Sequence, residues 1–251
     1  MVLSPGVRNL VVIPSYDEAP NVLGLVADVL AIDATLEILV VDDASPDGTG
    51  DLVAGAARGE PRLQLLRRPG KLGLGTAYLA GFRHGLDGGY DRILTMDCDR
   101  SHNPRHIPAL LDAMARCELA IGSRYVPGGG IVNWPPSRRA LSAFANLYAR
   151  TLLRLPVRDC TSGFRCYARE ALAAVDPFAI RASGYSFLEE MLVRVQRAGF
   201  RIAEVPIVFQ DRTLGASKIN RSEIYRAAWH VLVMALRGRG QGSGAGRPAA
   251  H

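Results

Sequence analysis

The fold is decided by the stretch Leu36-Glu37-Ile38-Leu39-Val40-Val41-Asp42-Asp43-Ala44-Ser45-Pro46-Asp47-Gly48-Thr49, an apolar run that ends in acidic and turn-forming residues. A short apolar run bounded by such residues is typical of a buried strand. Similar runs occur at Leu10–Ile13, Leu63–Leu66, Ile93–Met96 and Leu119–Ile121. Between the runs, apolar residues recur at helical spacing in Asn21–Leu30, Asp47–Ala57, Gly75–Leu86 and Pro108–Ala115. This alternation predicts an α/β fold in which helices flank a mostly parallel sheet.

The second half of the chain has a less regular pattern. A Gly- and Pro-rich loop is predicted over Val126–Pro136 and a helix over Arg138–Leu153. The further predicted elements are a strand over Ser162–Tyr167, a helix over Phe187–Arg197, a strand pair around Pro206 within Arg201–Phe209, and a helix over Arg221–Leu236. We expect a single domain over residues 1–236 and a disordered tail over residues 237–251, which are rich in Gly, Arg and Ala.

Composition excludes several classes of protein. With 48% hydrophobic and 22% charged residues among 251, the chain is not expected to be disordered, collagen-like or a disulfide scaffold. Its 30 basic and 24 acidic side chains give a net charge of +6. The arginines form no run interleaved with aromatic residues, so we expect no nucleic-acid partner.

The sequence contains no evident targeting or membrane-spanning segment. Its longest apolar run, Ala227–Leu236, is about half as long as a spanning helix requires. The first residues lack the charged start and apolar core of a signal peptide. We therefore expect a cytoplasmic protein whose four cysteines are reduced.

Acidic side chains follow three of the predicted strands. These side chains are Asp17, Glu18, Asp42, Asp43, Asp97 and Asp99. Because parallel strands deliver their carboxyl ends to one edge of a sheet, the carboxylates should share a crevice there. Crowded carboxylates need a cation or many hydrogen-bond donors to remain ionised. The pair Asp97-x-Asp99 suits Mg²⁺ or Mn²⁺, which take oxygen ligands and leave positions open for phosphate oxygens.

Other nucleotide-binding patterns are absent from the sequence. No GxGxxG motif follows the first strand, and no GxxxxGK[ST] motif occurs, so dinucleotide and P-loop sites are not expected. The glycine-rich stretch Gly70–Gly75 opens the third predicted helix. It is consistent with either a phosphate contact or close helix packing.

Several motifs together resemble a known family. The motifs are Pro14-x-Tyr16-x-Glu18, Val41-Asp42-Asp43-x-Ser45-Pro46-Asp47-Gly48-Thr49, Asp97-x-Asp99 and Gly122-Ser123-Arg124-Tyr125. They resemble the family 2 glycosyltransferases, which have the Rossmann-like GT-A fold. Three later motifs are similar to those of the polyprenyl (dolichyl) phosphate mannosyltransferases. These are Asn133-Trp134-Pro135-x-x-Arg138, Thr161-Ser162-Gly163-Phe164-Arg165 and Asp211-Arg212-x-x-Gly215-x-Ser217-Lys218.

The resemblance, which covers about residues 7–236, implies a role for particular positions. The positions implied to hold the nucleoside are Pro14, Tyr16, Glu18, Val41 and Asp43. Those implied to hold the metal and the diphosphate are Asp97, the Cys98 backbone and Asp99, while Arg124 would face the donor. Arg138 and Ser142 would bind the acceptor phosphate, and Arg212 and Lys218 would lie on a loop over the diphosphate. The implied catalytic residues are Asp99, Arg124 and Arg138.

One departure from the family concerns the metal. Some relatives have Gln two residues after the second Asp, where this chain has Ser101. A hydroxyl is a shorter ligand, which leaves Ser101, a water molecule or His102 as the third ligand of Mg²⁺ or Mn²⁺.

The implied reaction is an inverting transfer of mannose from GDP-mannose to polyprenyl phosphate. About residues 7–123 would bind the nucleotide sugar and residues 124–236 the acceptor. Because a lipid phosphate is already anionic, its attack needs no tuned general base. A glucosyl or other hexosyl transferase that uses UDP-glucose is the alternative enzyme, and a nucleotide-sugar-binding module is the non-enzymatic one. The helix that contains Trp229 is predicted either to dock peripherally on the cytoplasmic membrane face or to pack against its own sheet.

Overall fold

A computed structural model describes residues 6–180, 185–211 and 221–241. The strands are β1 (Asn9–Ser15), β2 (Leu36–Asp42), β3 (Leu63–Arg67), β4 (Arg92–Thr95), β5 (Leu119–Ser123), β6 (Gly130–Val132), β7 (Arg165–Ala168), β8 (Ile202–Pro206) and β9 (Val208–Gln210). The helices are α1 (Ala19–Leu30), α2 (Thr49–Ala57), α3 (Leu74–Asp87), α4 (Ile107–Ala113), α5 (Pro136–Leu153), α6 (Arg169–Val175), α7 (Tyr185–Arg197) and α8 (Arg221–Gln241). Short 3₁₀ turns precede α4 and follow α6.

The main sheet has seven strands in the order β3-β2-β1-β4-β7-β5-β8. Strands β1 to β4 are mutually parallel, as are β5 and β8, which confirms the predicted mostly parallel sheet. Strand β7 is antiparallel to both of its neighbours, β4 and β5. The pattern Ser162–Tyr167 predicted this strand but not its direction, which depends on how the chain returns after α5.

Helices cover both faces of the main sheet, so its central strands are buried on both sides. Successive residues of β1 from Leu10 to Ile13 are fully buried and belong alternately to two apolar clusters. Helix α3 packs closely on one face, where a Cβ added to Gly81 would overlap Val12. Close packing therefore accounts for Gly81 but not for Gly70 and Gly73 ahead of α3, where a Cβ would meet nothing within 4 Å.

The second half adds a small sheet beside the main one. Strand β6, which lies in the predicted loop Val126–Pro136, pairs in parallel with β9. The strand pair predicted around Pro206 exists, but β8 joins the main sheet and β9 joins β6. The loop prediction missed β6 because a three-residue strand without a buried side chain has no apolar periodicity.

Helix α8 packs on α5 and α7. The hydroxyl of Tyr148 donates to the Ala228 carbonyl at 3.1 Å, and His230 Nε2 lies 3.2 Å from Glu190 Oε2. The helix continues to Gln241, five residues beyond its predicted end, so residues 237–241 are helical where a disordered tail was predicted. Residues 242–251 lie outside the described residues. Within the described residues, no helix combines the length and the apolar character that crossing a membrane requires.

Candidate active site

Three acidic strand ends meet at one edge of the sheet, as the sequence predicted. Strands β1 and β2 pair so that Ser15 lies beside Asp42, and β4 lies on the other side of β1 with Thr95 beside Val12. The residues that follow β4, Asp97 to Asp99, therefore face the same crevice edge as those that follow β1.

The loops after β1 and β2 are joined by hydrogen bonds. The Glu18 amide donates to Thr49 Oγ1 at 3.0 Å, and the Ala19 amide donates to Asp47 at 2.9 Å. Although burial raises the pKa of Asp47, hydrogen bonds from Thr49 and Ala19 lower it overall. Asp42 accepts a hydrogen bond from the Ser45 amide, and its carboxylate lies 3.1 Å from the Ser15 hydroxyl. Asp42 and Asp47 therefore stabilise the two loops and are not the acids that would bind a cation.

The predicted nucleoside residues differ in their exposure. Pro14, Tyr16 and Glu18 are half-buried at the end of β1. Val41 is wholly buried in the core, so only its backbone could contact a nucleoside. Asp43 is also buried, and its carboxylate is engaged by neighbouring groups of the protein.

Asp43 holds the glycine-rich loop that precedes α3. Its Oδ2 accepts from the amides of Leu72 and Gly73, both at 3.0 Å, and its Oδ1 lies 2.8 Å from Arg68 Nε. The same loop places Lys71 Nζ 3.9 Å from the centre of the Tyr16 ring. Sequence reasoning missed Lys71, because no spacing rule links it to Tyr16.

The two acids after β4 are held by defined neighbours. Tyr78 donates from its hydroxyl to Asp97 Oδ1 at 3.2 Å. Burial and then the charge of Asp97 raise the pKa of Tyr78, which keeps this hydroxyl protonated. Asp99 Oδ1 accepts from the amide of Ser101 at 3.0 Å, and Cys98 lies buried between the two acids.

His102 is buried below the same turn. Its ring lies 5.1 Å from the Phe164 ring, centre to centre, and its Nδ1 accepts from the Asp97 amide at 3.1 Å. Burial lowers the pKa of His102, so the ring is neutral near pH 7. Because Nδ1 already accepts a hydrogen bond, this nitrogen does not serve as the third metal ligand.

The donor set at this turn fits a hard cation. In the part of the chain that the structure describes, no three His, Cys, Asp or Glu side chains are grouped to hold a metal. Asp97 and Asp99 provide carboxylate oxygens, and the buried Ser101 Oγ has no hydrogen-bond partner among the described residues. A buried hydroxyl without a partner is costly, which is consistent with a ligand role for Ser101. Mg²⁺ typically takes few protein ligands and completes its shell with water and phosphate oxygens.

Arg124 is locked in place by a residue that sequence reasoning missed. Its Nε and Nη2 each donate to the buried Asp159 at 2.7 Å, and its backbone amide donates to the same carboxylate at 3.0 Å. Nη2 also donates to Thr161 Oγ1 at 2.7 Å. Burial raises the pKa of Asp159, but the charge and hydrogen bonds of Arg124 lower it overall. Arg124, which was predicted to face the donor, thus has a guanidinium that Asp159 already holds.

The predicted acceptor residues lie at the start of α5. Arg138 Nη1 is 3.0 Å from both carboxylate oxygens of Asp211, and its guanidinium carbon lies 4.0 Å from the centre of the Trp134 ring. Its Nε and Nη2 donate to none of the described residues. Ser142 Oγ lies 2.8 Å from the Tyr125 hydroxyl. The predicted residues Arg212 and Lys218 lie outside the described residues.

The sequence matches relatives along nearly its whole length. The family described as Glycosyl transferase family 2 matches residues 10–175, and the chain belongs to this family. The chain is 45% identical over 238 residues to the undecaprenyl-phosphate mannosyltransferase of Micrococcus luteus, and the match covers 94% of this chain and 97% of that protein. It is 46% identical over 237 residues to the polyprenol monophosphomannose synthase of Mycolicibacterium smegmatis, with 94% and 89% covered.

Solved structures share the fold. Glucosyl-3-phosphoglycerate synthase from Mycobacterium tuberculosis, crystallised with Mn²⁺, UDP and glucosyl-3-phosphoglycerate, superposes with a TM-score of 0.64 at 20% identity. The match covers 93% of this chain and 80% of that one. The complex of that enzyme with Mn²⁺ and UDP-glucose gives a TM-score of 0.65, with 93% and 79% covered. The chain is thus a glycosyltransferase of GT-A fold, which confirms the predicted family, fold class and enzyme class.

Proposed function

We propose that this enzyme transfers mannose from GDP-mannose to polyprenyl phosphate, with inversion and with a divalent metal. The observation that carries the proposal is the pair of relatives of 45% and 46% identity, both of which are named for mannose transfer to a polyprenyl acceptor. The arrangement of charged side chains around the crevice also supports it.

The donor side of the crevice would bind the nucleotide diphosphate. Tyr16 and Lys71 would contact the nucleoside, because a cation over an aromatic ring presents both a flat surface and a hydrogen-bond donor. Asp97, Asp99 and Ser101 would hold Mg²⁺ or Mn²⁺. When bound, the metal supplies positive charge to the departing diphosphate.

The acceptor side would bind a phosphate. The edge of Arg138 that carries Nε and Nη2 faces no described hydrogen-bond acceptor. Nη1 is held by Asp211, and the guanidinium lies against the Trp134 ring. A guanidinium fixed in this way can form the two-pronged hydrogen bonds that phosphate accepts. Ser142 would add a hydroxyl donor. The bound phosphate is itself the nucleophile, so these residues position it and need not remove a proton.

Peripheral contact with the membrane would bring the enzyme to its acceptor. Helices α5 and α8 expose a group of large apolar side chains, here called the α5–α8 apolar surface: Leu141, Phe144, Leu147, Tyr225 and Trp229. Phe144, Trp229 and Tyr225 are 65%, 68% and 75% exposed. The opposite side of α8 is buried at Val231 and Ala235, and the helix packs on α5 and α7 rather than on the sheet as predicted, which leaves its exposed side for the membrane. An exposed apolar face of this kind suits an interfacial helix.

A direct assay tests the proposed reaction. Purified enzyme with Mn²⁺ or Mg²⁺ and polyprenyl phosphate would receive radiolabelled GDP-mannose, UDP-glucose or another nucleotide sugar. We expect label to enter the organic phase from GDP-mannose. Transfer from UDP-glucose alone would replace the proposal with the hexosyl alternative, and transfer from none would favour a binding module.

Thermal unfolding gives an independent test of the donor. A ligand that binds only the native state raises its stability, and it does so more when it binds more tightly. With metal present, GDP should raise the midpoint of unfolding more than UDP does at the same concentration. The reverse order would contradict GDP-mannose as the donor.

A further inference from the structure

A cavity of about 260 Å³ lies beside α5, and none of the acids that follow β1, β2 and β4 lines it. Its lining residues, which define the α5 cavity, are Tyr125, Ala143, Asn146, Leu147, Arg150 and Arg158. The side chains of Arg150 and Arg158 are exposed and form neither a hydrogen bond nor an ion pair with any described residue. The α5 cavity thus carries two uncompensated positive charges on its wall.

The carboxylates next to these arginines in sequence and space are already engaged. Asp159 binds Arg124, and Glu204 accepts from the backbone amides of Arg158 and Asp159 at 2.8 and 2.9 Å. Asn146 is also fully used, since its amide group binds the Ser142 carbonyl and its oxygen accepts from the Cys160 amide. The arginines are therefore the groups of the α5 cavity that can still bind an anion.

The α5 cavity borders the α5–α8 apolar surface directly. Successive residues of an α-helix are rotated by about 100° around its axis. Viewed down α5, Asn146 and Arg150 therefore lie on one side, Leu147 lies next to them, and Phe144 lies beyond Leu147. Leu147 belongs to both features, because it lines the cavity and is 58% exposed. On the far side of Phe144, Tyr148 contacts α8. Charged cavity and apolar surface thus form one amphipathic strip.

We propose that the α5 cavity binds the phosphate of an anionic phospholipid headgroup while the acyl chains lie against the α5–α8 apolar surface. The two guanidinium groups match phosphate oxygens, whereas the Tyr125 hydroxyl already donates to Ser142. The cavity is smaller than the ~300–1,000 Å³ typical of sites for drug-sized ligands, so it suits a headgroup but not a lipid tail. The proposal rests on the proposed function only in that the acceptor is a membrane lipid.

The phospholipid site adjoins the acceptor site but is centred on other residues. Arg150 lies twelve residues after Arg138, which is about 18 Å along the axis of α5. The two sites meet where Tyr125, which lines the cavity, donates to Ser142, a proposed acceptor residue. A phospholipid in the α5 cavity would hold α5 against the membrane and present Arg138 to an acceptor in the same leaflet.

The test compares two charge-matched double variants. Arg150→Gln with Arg158→Gln removes the cavity charges, and Arg58→Gln with Arg116→Gln removes two exposed arginines outside this surface. Sedimentation would be measured with phosphatidylglycerol vesicles and with phosphatidylcholine vesicles. We expect the cavity variant to lose at least about tenfold in affinity for phosphatidylglycerol vesicles, because charged hydrogen bonds are lost. The control should change by less than about threefold. Equal losses in both variants would overturn the proposal and leave only general charge attraction.

Two further measurements distinguish a phospholipid headgroup from a free anion and from the acceptor phosphate. Calorimetry would compare a soluble short-chain phosphatidylglycerol with inorganic phosphate, and equal affinity for both would overturn the lipid assignment. Mannose transfer to detergent-dispersed polyprenyl phosphate should stay within about twofold in the cavity variant. Loss of that transfer with normal vesicle binding would make the cavity part of the acceptor site and overturn the inference. If the unmodified enzyme transfers no mannose, the proposed function fails, whereas the vesicle comparison still decides the inference.

Discussion

Asp99 holds the turn after β4 through the Ser101 amide and is also a proposed metal ligand. Asparagine at this position keeps an oxygen that can accept from the Ser101 amide, so the turn after β4 should remain intact. It replaces a charged ligand oxygen with a neutral one, which binds a divalent cation more weakly. We predict that Asp99→Asn lowers mannose transfer at saturating metal by at least about 100-fold, because the counter-charge for the diphosphate is lost.

The matched control for this prediction is Asp112→Asn, which removes an exposed carboxylate on α4. Initial rates and melting temperatures would be measured for both variants. The control should keep its rate within about twofold, and both should melt near the unmodified enzyme. If Asp99→Asn kept a rate within about threefold of the unmodified enzyme, the proposal that Asp99 is a metal ligand would be wrong.

Substitution of Arg138, the proposed acceptor residue, should distinguish acceptor binding from donor binding. The loss of one charged partner of an anion costs about 1.5–3 kcal/mol, so Arg138→Ala should lower transfer at limiting polyprenyl phosphate at least about tenfold. The affinity for GDP-mannose, measured by calorimetry, should hardly change. Arg138→Lys should recover only part of the loss, since an ammonium lacks the two-pronged geometry.

Its neighbour Arg139 is the control, because its exposed guanidinium donates to the Ile131 carbonyl and not to Asp211. Arg139→Ala should leave acceptor saturation kinetics nearly unchanged. If Arg138→Ala weakened GDP-mannose binding and kept normal acceptor kinetics, Arg138 would belong to the donor site.

The sequence predicted which residue types lie at the candidate site but not which groups they contact. The acids after β1, β2 and β4 were predicted to share one edge because strand direction follows from the alternating pattern. That Asp43 binds the Leu72 and Gly73 amides, and Arg124 binds Asp159, depends on contacts between residues about 30 positions apart. No local pattern encodes such contacts.

At the level of elements, buried helices and strands were predictable and edge elements were not. An apolar run such as Ile93–Met96 has the same pattern in parallel and antiparallel sheets, so the direction of β7 had no sequence signal. Strand β6 and helix α8 differ from the predictions for a related reason. Strand β6 has no buried side chain and, among the described residues, pairs only with β9, and the end of α8 lies beyond its last apolar residue in the sequence, Leu236.

Helix α8 should contribute to membrane binding through its exposed aromatic side chains. We predict that Tyr225→Ser with Trp229→Ser weakens sedimentation with anionic vesicles by at least about tenfold, since each buried apolar side chain contributes about 1.5–3 kcal/mol. Val231 and Ala235 are untouched, so the packing of α8 should persist. Added salt should reduce binding only in part, because apolar burial is not screened.

The control for the α8 prediction is Leu23→Ser with Leu52→Ser, which removes two exposed apolar side chains from α1 and α2. Vesicle binding of this control should match that of the unmodified protein. Equal binding by the control and the α8 variant would mean that the enzyme reaches the membrane through another surface.

The whole molecule carries buried ionisable groups whose pKa shifts act on stability in opposite directions. For Asp159, burial raises the pKa, but Arg124 lowers it overall, so this carboxylate stabilises the fold above its unfolded pKa and loses that contribution in acid. Burial lowers the pKa of His102, so the unfolded chain binds the His102 proton more tightly than the folded state does. The folded state therefore also loses stability as the pH falls below about 6.5. Burial raises the pKa of Glu189 to about 8, with Arg165 only partly opposing it.

The effect of pH on the stability contributed by Glu189 is opposite to its effect on that contributed by Asp159. Because the folded state binds the Glu189 proton more tightly than the unfolded chain does, its contribution is fully present below about pH 4.5 and is lost as the pH rises to about 8. Glu189→Gln keeps a neutral side chain at every pH. We therefore predict that the variant melts close to the unmodified enzyme at about pH 5, increasingly above it from about pH 6 to about pH 8, and by a constant difference at higher pH. The control Glu170→Gln, at an exposed position on α6, should show a difference that does not change over this range. A constant difference for Glu189→Gln between about pH 5 and pH 9 would mean that Glu189 is already ionised in the folded protein and that Arg165 compensates its burial.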